Sequence, residues 1–409
     1  MHFIDIDNSA LHILKKTMIS NPRKNDVFKT IGLFNDSFPP IMDGVSLTTQ
    51  NYAYWLHEKN QPVCVVSPKS PNFTDKEPYP VYRYSSFPIL NRKPYRFGLP
   101  WADFTLRSKL NKIPFGLVHA HCPFSSGSIA LRIAKQRKIP FVATFHSKYR
   151  DDFEHSVHNK FLAKLMVKNV IRFYEKADEV WISQPSVEDT IREYGFKGKI
   201  EIVPLGNDFC ETQHIDLIKE QARKELKIST NETTFLFVGQ LIWEKNIRMI
   251  LESLALIKDI PFKMFFVGIG YAAEDLKQLV SKMGLSDKIE FIGLITDRDR
   301  LKQFYAAADL FLFPSTYDTW ALVVHEAAAL GTPSVLVQES TITEIITNNQ
   351  NGFLTANSAE SFSSCLENLI SNPELVKKVG INASETINRS WESVTDEVLD
   401  RYHHLIKRI

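Results

Sequence analysis

Short apolar runs that end at glycine, proline or polar turn residues alternate along this chain with longer stretches in which apolar side chains recur every third or fourth position. The first kind reads as buried strand and the second as amphipathic helix. In the first half the strand-like runs are Thr30–Phe34, Val63–Ser67, Leu117–Ala120, Phe141–Phe145 and Trp181–Ser183, with Ser128–Lys138 among the helical stretches between them. A second series follows Gly206: Thr234–Val238, Lys263–Val267, Ile289–Phe291, Leu310–Phe313 and Ser334–Val337, separated by helices such as Asn246–Ile257 and Asp297–Ala307. Strands alternating with helices predict parallel, doubly wound sheets. Two such series predict two Rossmann-like α/β domains. Gly195, Gly198, Pro204 and Gly206 cluster between them, so the expected domains span 27–200 and 201–390. Residues 1–26 are polar and irregular, an extension before the fold, and Trp391–Ile409 is an amphipathic last helix. The absence of a short-period repeat argues against a solenoid.

Composition narrows the class without naming it. A chain of 409 residues with 44% hydrophobic and 23% charged residues is ordinary for a soluble globular protein of two domains. No apolar run reaches the roughly 18 residues needed to cross a bilayer. Asp5, Asp7, Asn8 and His12 interrupt any leader-like apolar segment. Cys64, Cys122, Cys210 and Cys365 are scattered and read as reduced thiols, so the expected location is cytoplasmic. Net charge is +2, but residues 1–200 carry 29 Lys and Arg against 18 Asp and Glu, while 201–409 carry 20 against 29. A basic first half suggests an anionic partner. No nucleic-acid motif is present, so an anionic membrane surface or a phosphorylated acceptor fits better. Lys160, Lys164, Lys168, Arg172 and Lys176 form a ridge at helical spacing, beside Leu162, Leu165, Met166, Val170 and Phe173. The pattern suits a helix lying on anionic lipid and equally a solvated helix face.

The densest chemistry lies in Asp309–Leu336, DLFLFPSTYDTWALVVHEAAALGTPSVL. A buried strand ends at a Pro-Ser turn, Asp318 and Glu326 follow with seven residues between them, and an Ala-rich helix runs until Gly331 and Pro333 stop it. A loop that leads into a helix N-terminus presents free N–H groups and a positive dipole end to a phosphate, leaving the acids for the polar remainder of the same ligand. Gly239-Gln240-Leu241 with Glu244-Lys245 ends another strand and can bring a cation to a diphosphate. His119 and His121 share one side of a strand end, where they could contact a ligand, pack structurally, or bind metal if a third ligand were near. Thr144-Phe145-His146-Ser147-Lys148-Tyr149 closes the next strand. Asp43-Gly44-Val45 follows the first.

Taken together and in this order, these segments resemble glycosyltransferase family 4, the retaining enzymes with the two-domain GT-B architecture and a central cleft. Asp318 stands where the family's acid-x7-acid pattern begins with Glu, Trp320-Ala321 replaces Phe-Gly, Gln240 replaces Arg, and one glycine of the Gly-Gly-Val loop is missing. The resemblance implies a hexosyl transfer from a nucleotide-sugar, UDP-sugar (UDP-glucose included) before GDP-sugar, to a lipid or saccharide acceptor. It assigns Glu326 to the ribose, Lys245 to the diphosphate and backbone near Ile295 to the base. Gly44, Gly239, Gln240 and Leu322 complete the donor site, and Asp318, Thr319, Trp320 and Ala321 surround the sugar. His121 approaches the sugar from the other domain, with His119 orienting its loop. His121, Asp318 and Lys245 are thus the expected catalytic set, and His146, Ser147 and Tyr149 face the acceptor. The last helix is expected to cross back to the first domain.

No cofactor and no essential metal are expected. Asp297-Arg298-Asp299 reads as charge at a helix start, and Gly268-Ile269-Gly270 lacks the third glycine of a dinucleotide fingerprint. The competing readings are a nucleotide-sugar epimerase or phosphorylase-like enzyme on the same architecture, and a non-catalytic nucleotide-sugar-binding protein.

Overall fold

The structure is a computed structural model that describes residues 29–89, 94–157, 159–209, 214–229, 232–318 and 320–408. The expected extension over 1–26, Cys210 and the donor-site candidate Thr319 lie outside the described residues.

The first domain runs β1 (Thr30–Phe34), α1 (Gly44–Glu58), β2 (Val63–Pro68), β3 (Val81–Tyr84), β4 (Ser86–Pro88), β5 (Arg96–Gly98), α2 (Phe104–Lys112), β6 (Phe115–Ala120), α3 (Ser125–Arg137), β7 (Phe141–Thr144), α4 (Tyr149–Val157), α5 (Lys160–Tyr174), β8 (Glu179–Ile182), α6 (Ser186–Glu193) and β9 (Ile200–Ile202). The second runs α7 (Ile215–Glu225), β10 (Thr233–Val238), α8 (Ile247–Leu256), β11 (Phe262–Val267), α9 (Ala273–Lys282), β12 (Ile289–Gly293), α10 (Arg298–Ala307), β13 (Leu310–Leu312), α11 (Leu322–Ala329), β14 (Ser334–Val337), β15 (Phe353–Thr355), α12 (Ala359–Ile370) and α13 (Pro373–Thr386). A final helix, α14 (Trp391–Arg408), follows.

Seven parallel strands form the first sheet, in the order β3-β2-β1-β6-β7-β8-β9, and six form the second, β12-β11-β10-β13-β14-β15. In each sheet the order reverses once, between β1 and β6 and between β10 and β13. Loops leaving the two strands at such a point part to opposite faces and open a crevice at their carboxyl ends, where ligands bind in open α/β sheets. Gly44 and His121 flank the first crevice; Lys245 and Asp318 flank the second. Topology therefore puts these expected site residues at the crevice of each sheet.

The second sheet has its own core, built on Phe235, Phe237, Phe266, Phe311 and Val335. One face of the first sheet is covered differently. Trp391, Val394, Val398, Tyr402 and Leu405 of α14 pack with Leu117, Val142 and Trp181, so the last helix returns to the first domain. Two strands of chain thus join the domains, and they run side by side. Asn207 N–H donates to the Arg389 carbonyl at 2.9 Å, and Asn207 bridges Ser390 in parallel. Gly206 lets them approach: a Cβ there would lie 2.6 Å from the Trp391 nitrogen. Val203 and Leu205 belong to the first core and Phe209 to the second. The expected division after residue 200 therefore cuts β9, which pairs with β8, and the change of core comes at 206–208. β9 is short and half exposed, so it gave no apolar run to read.

Candidate active site between the two sheets

Helix α1 begins at Gly44, where Asp43 caps it by accepting the Ser46 N–H at 2.8 Å. Helix α11 begins at Leu322, and no side chain caps it. A Cβ on Gly44 would sit 3.8 Å from Leu322 Cδ1, so helix N-termini from opposite domains converge. Each brings N–H groups of its first turn and a positive dipole end, a setting for an anion. Ala321, before α11, has φ 49° and ψ 64°, the left-handed region that a glycine would occupy without strain.

One turn into α11, Glu326 is buried with both carboxylate oxygens held. Oε1 accepts from Arg298 Nη2 at 2.6 Å and Oε2 from the Tyr305 hydroxyl at 2.7 Å. Arg298 also meets Asp208 at 3.0 Å. Sequence reasoning missed Arg298 and Tyr305 as supports of this acid. Their signal was spacing, since residues seven apart on α10 share a face. Asp297 does cap α10, accepting from the N–H groups of Asp299 and Arg300 at 2.9 and 3.1 Å.

Lys245, buried at the end of a single 3-10 turn after β10, is paired with Asp318 and lies over the rings of Phe313 and Tyr317. Asp318 is held further by the Ser315 hydroxyl at 2.7 Å, and its carbonyl accepts from Thr341. The charge expected to stand ready for a diphosphate is thus matched by the acid expected at the sugar. Gln240 donates across the cleft to the Tyr95 hydroxyl at 3.2 Å, and Tyr95 in turn bonds Asp43. Lys148 donates to the Thr316 carbonyl at 2.6 Å, and Gln184 to that of Thr341 at 2.8 Å, so several bonds already span the domains. Ile295, partly exposed after β12, packs on the rim of the second core. Gly239 follows β10, and a Cβ at Gly268 would lie 1.9 Å from its carbonyl oxygen. The Gly268-Ile269-Gly270 segment therefore serves backbone packing between two strand-end loops.

On the opposite side three imidazoles stack: His119 on His121 at 4.2 Å and His121 on His146 at 5.4 Å. His119 is fixed between the Tyr402 hydroxyl of α14 at 2.6 Å and the Thr144 hydroxyl at 2.7 Å. His121 Nδ1 meets His146 Nε2 at 3.1 Å, while its own Nε2 is buried with no hydrogen-bond partner among the described residues. Burial, with mutual repulsion, drives the pKa of His119 and His121 far down, and burial takes His146 to about 3. The stack is neutral at physiological pH.

Several of the residues singled out in the sequence are buried in apolar packing. Tyr149 is buried in the first core, its hydroxyl 3.1 Å from that of Tyr174, because a large apolar ring gains more from burial than from a polar cleft. Trp320 stacks on His325 at 4.3 Å and joins the first domain's apolar cluster, so its indole is interdomain packing. Val170 and Phe173 of α5 face inward, and the apolar groups beside the exposed Lys160, Lys164, Lys168 and Arg172 are Leu162, Leu165 and Phe161, the last 81% exposed. His146 stands at the stack and Ser147 follows it, partly exposed. Among the described residues no cluster of three or more His, Cys, Asp or Glu could hold a metal, and no helix is long and apolar enough to cross a membrane.

Residues 42–209 match the model of Glycosyltransferase Family 4, and residues 218–386 that of Glycosyl transferases group 1. Similar proteins include the alpha-monoglucosyldiacylglycerol synthase of Streptococcus pneumoniae, 26% identical over 84% of this chain and 79% of that one. The enzyme of the same name from Acholeplasma laidlawii is 24% identical over 91% and 98%. Among solved structures, sucrose-phosphate synthase from Thermosynechococcus elongatus superposes with a TM-score of 0.76 over 93% of this chain and all of that one, at 19% identity. Anabaena HepE, solved with UDP and glucose, does so at 0.74 over 92% and 99%, at 16% identity. With a family model on each half and the two sheets facing across a cleft, the chain belongs to the family 4 glycosyltransferases of GT-B architecture.

Proposed function

We propose that this glycosyltransferase moves a glucosyl group from UDP-glucose to a glycerolipid hydroxyl at an anionic membrane surface, retaining the anomeric configuration. The observation that supports the reading is the convergence of α1 and α11 at Gly44 and Leu322, which sets two positive helix ends where a diphosphate would be stabilised. Glu326, one turn deeper, accepts the ribose hydroxyls, and backbone near Ile295 takes the base. Lys245 and Asp318 exchange partners on binding: the diphosphate replaces the carboxylate at Lys245, and sugar hydroxyls replace the ammonium at Asp318. His121 turns its unpartnered Nε2 to the sugar from the other side, as a neutral hydrogen-bonding group.

In the step itself, the bond from the anomeric carbon to the donor phosphate breaks and the bond to the acceptor oxygen forms on the same face. The acceptor proton passes to a donor phosphate oxygen, and UDP leaves. Domain closure excludes water from that face. The acceptor comes past His146 and Ser147. The lipid class is supported by the names of the two synthases and by α5, whose Lys160, Lys164, Lys168 and Arg172 flank exposed Phe161, Leu162 and Leu165. No divalent ion is required in this scheme.

The test is transfer from labelled UDP-glucose to diacylglycerol in vesicles, with EDTA present, and the product's linkage read by NMR. An α-linked glucolipid formed faster on anionic than on neutral vesicles is expected. Consumption of GDP-sugar alone would replace the donor, and a β-linked product would remove retention. Equal rates on both vesicle types, unchanged by reversing the four α5 charges, would remove the membrane.

A further inference from the structure

Arg298 stands between two carboxylates that belong to different parts of the molecule. Its Nη2 lies 2.6 Å from Glu326 on α11 and 3.0 Å from Asp208 in the connection between the domains. Its guanidinium lies 4.5 Å over the ring of Phe209, the next residue of that connection, and its Nε is buried with no partner among the described residues. Asp208 also receives a hydrogen bond from Asn51 of α1. A polar chain therefore runs from the first domain through the connection to the acid of the donor helix. Its neighbour Asn207 ties the two crossings together through Ser390 and Asn388.

One guanidinium shared by two carboxylates cannot neutralise both, and in a partly buried site the residual charge matters. A ligand hydroxyl that donates to Glu326 relieves the demand of that acid on Arg298 and strengthens the guanidinium's hold on Asp208. We infer that Arg298 is a positioning residue that couples occupation of Glu326 by the nucleotide to the tether between the domains. The inference rests on the reading that Glu326 accepts the ribose.

Hydrogen exchange on the full chain, with and without UDP, separates this coupling from a merely structural ion pair. In the wild type, UDP slows exchange in 203–209 and 388–394, away from the nucleotide. Asp208→Asn keeps UDP binding but loses that remote protection. Arg298→Gln loses it too and weakens UDP binding about tenfold, the scale of one charge-assisted hydrogen bond. Arg298→Lys, which keeps the charge without the fork, restores part of the affinity and little of the protection. Melting of each unliganded variant confirms that it is folded. Equal protection in the wild type and Asp208→Asn overturns the coupling, as does UDP binding without remote protection in the wild type. Failure of the wild type to bind either UDP or GDP removes the donor reading, and the inference with it.

Discussion

The two crevices share a topology and differ in their electrostatics. At the β10/β13 crevice the acids and cations are paired with one another: Lys245 with Asp318, Arg298 with Glu326 and Asp208. At the β1/β6 crevice burial works against the charged forms. Three stacked imidazoles are held neutral, and burial lifts the Asp36 carboxyl to about 6. The halves as wholes show another balance, because the first carries the excess of Lys and Arg, much of it outside on helices such as α5. The difference teaches that the charge of a domain does not give the charge of its site. A neutral histidine stack opposite paired charges can touch a sugar without competing for the diphosphate.

Removing the imidazole that faces the cleft should break the comparison most sharply. His121→Ala is expected to lower turnover about a hundredfold, as when one hydrogen-bonding group at a reacting centre is lost, while UDP affinity stays near wild type. Near-normal turnover would make the histidine stack a packing device. On the charged side the expected pattern is the reverse. Glu326→Ala should weaken UDP binding by about 1.5–3 kcal/mol in calorimetry, the worth of a hydrogen bond to a charged group. Unchanged affinity in a folded variant would take Glu326 out of the nucleotide site.

Asp36 tests whether the first crevice prefers neutrality. Its carboxyl accepts from Ser126 N–H at 3.0 Å and the Tyr84 hydroxyl at 2.9 Å, but Oδ2 is buried without a partner among the described residues. Because its pKa rises from 3.8 to about 6 on folding, the protonated acid is favoured in the fold. Its contribution is fully present below the unfolded pKa and is lost as pH rises through the folded one. Between pH 5 and 7 the wild type should lose on the order of 1 kcal/mol relative to Asp36→Asn, read as diverging denaturant midpoints. Parallel midpoints would mean that the acid is already ionised. The smallest effect belongs to Ala321. Replacing it by glycine should stabilise the protein by about 0.5 kcal/mol, since relief of left-handed strain slightly exceeds glycine's entropic cost. A lower melting temperature for Ala321→Gly would show that the methyl's packing outweighs that relief.

The fold class was legible because central strands of parallel sheets are continuous apolar runs; β1 and β14 have the bounds read from sequence. β3, β9 and the β4–β5 hairpin carry half-exposed or very short patterns and gave no run to find. In the site, residues at strand ends were legible because turn chemistry marks where strands stop. The partners of those residues were not. Helical spacing puts Arg298 and Tyr305 on one face, but that this face meets Glu326, and that Tyr402 reaches His119, is set by tertiary packing that no local pattern encodes. Tyr149 and Trp320 show the opposite limit: the resemblance put both at the ligand, and here both rings are buried, Tyr149 in the first core and Trp320 against His325 and the first domain's apolar cluster.

The return of α14 sets an order of events during synthesis. Tyr402 meets His119 across 283 residues, and Leu117, Val142 and Trp181 lie under the same helix. While a ribosome is still translating the second domain, that face of the first sheet is covered only in part, by α1 through Tyr52, Ala53 and Leu56. The first domain therefore cannot finish folding as it emerges, as independent N-terminal domains do. Its apolar face stays incompletely covered until the second domain has been made and the last helix follows it.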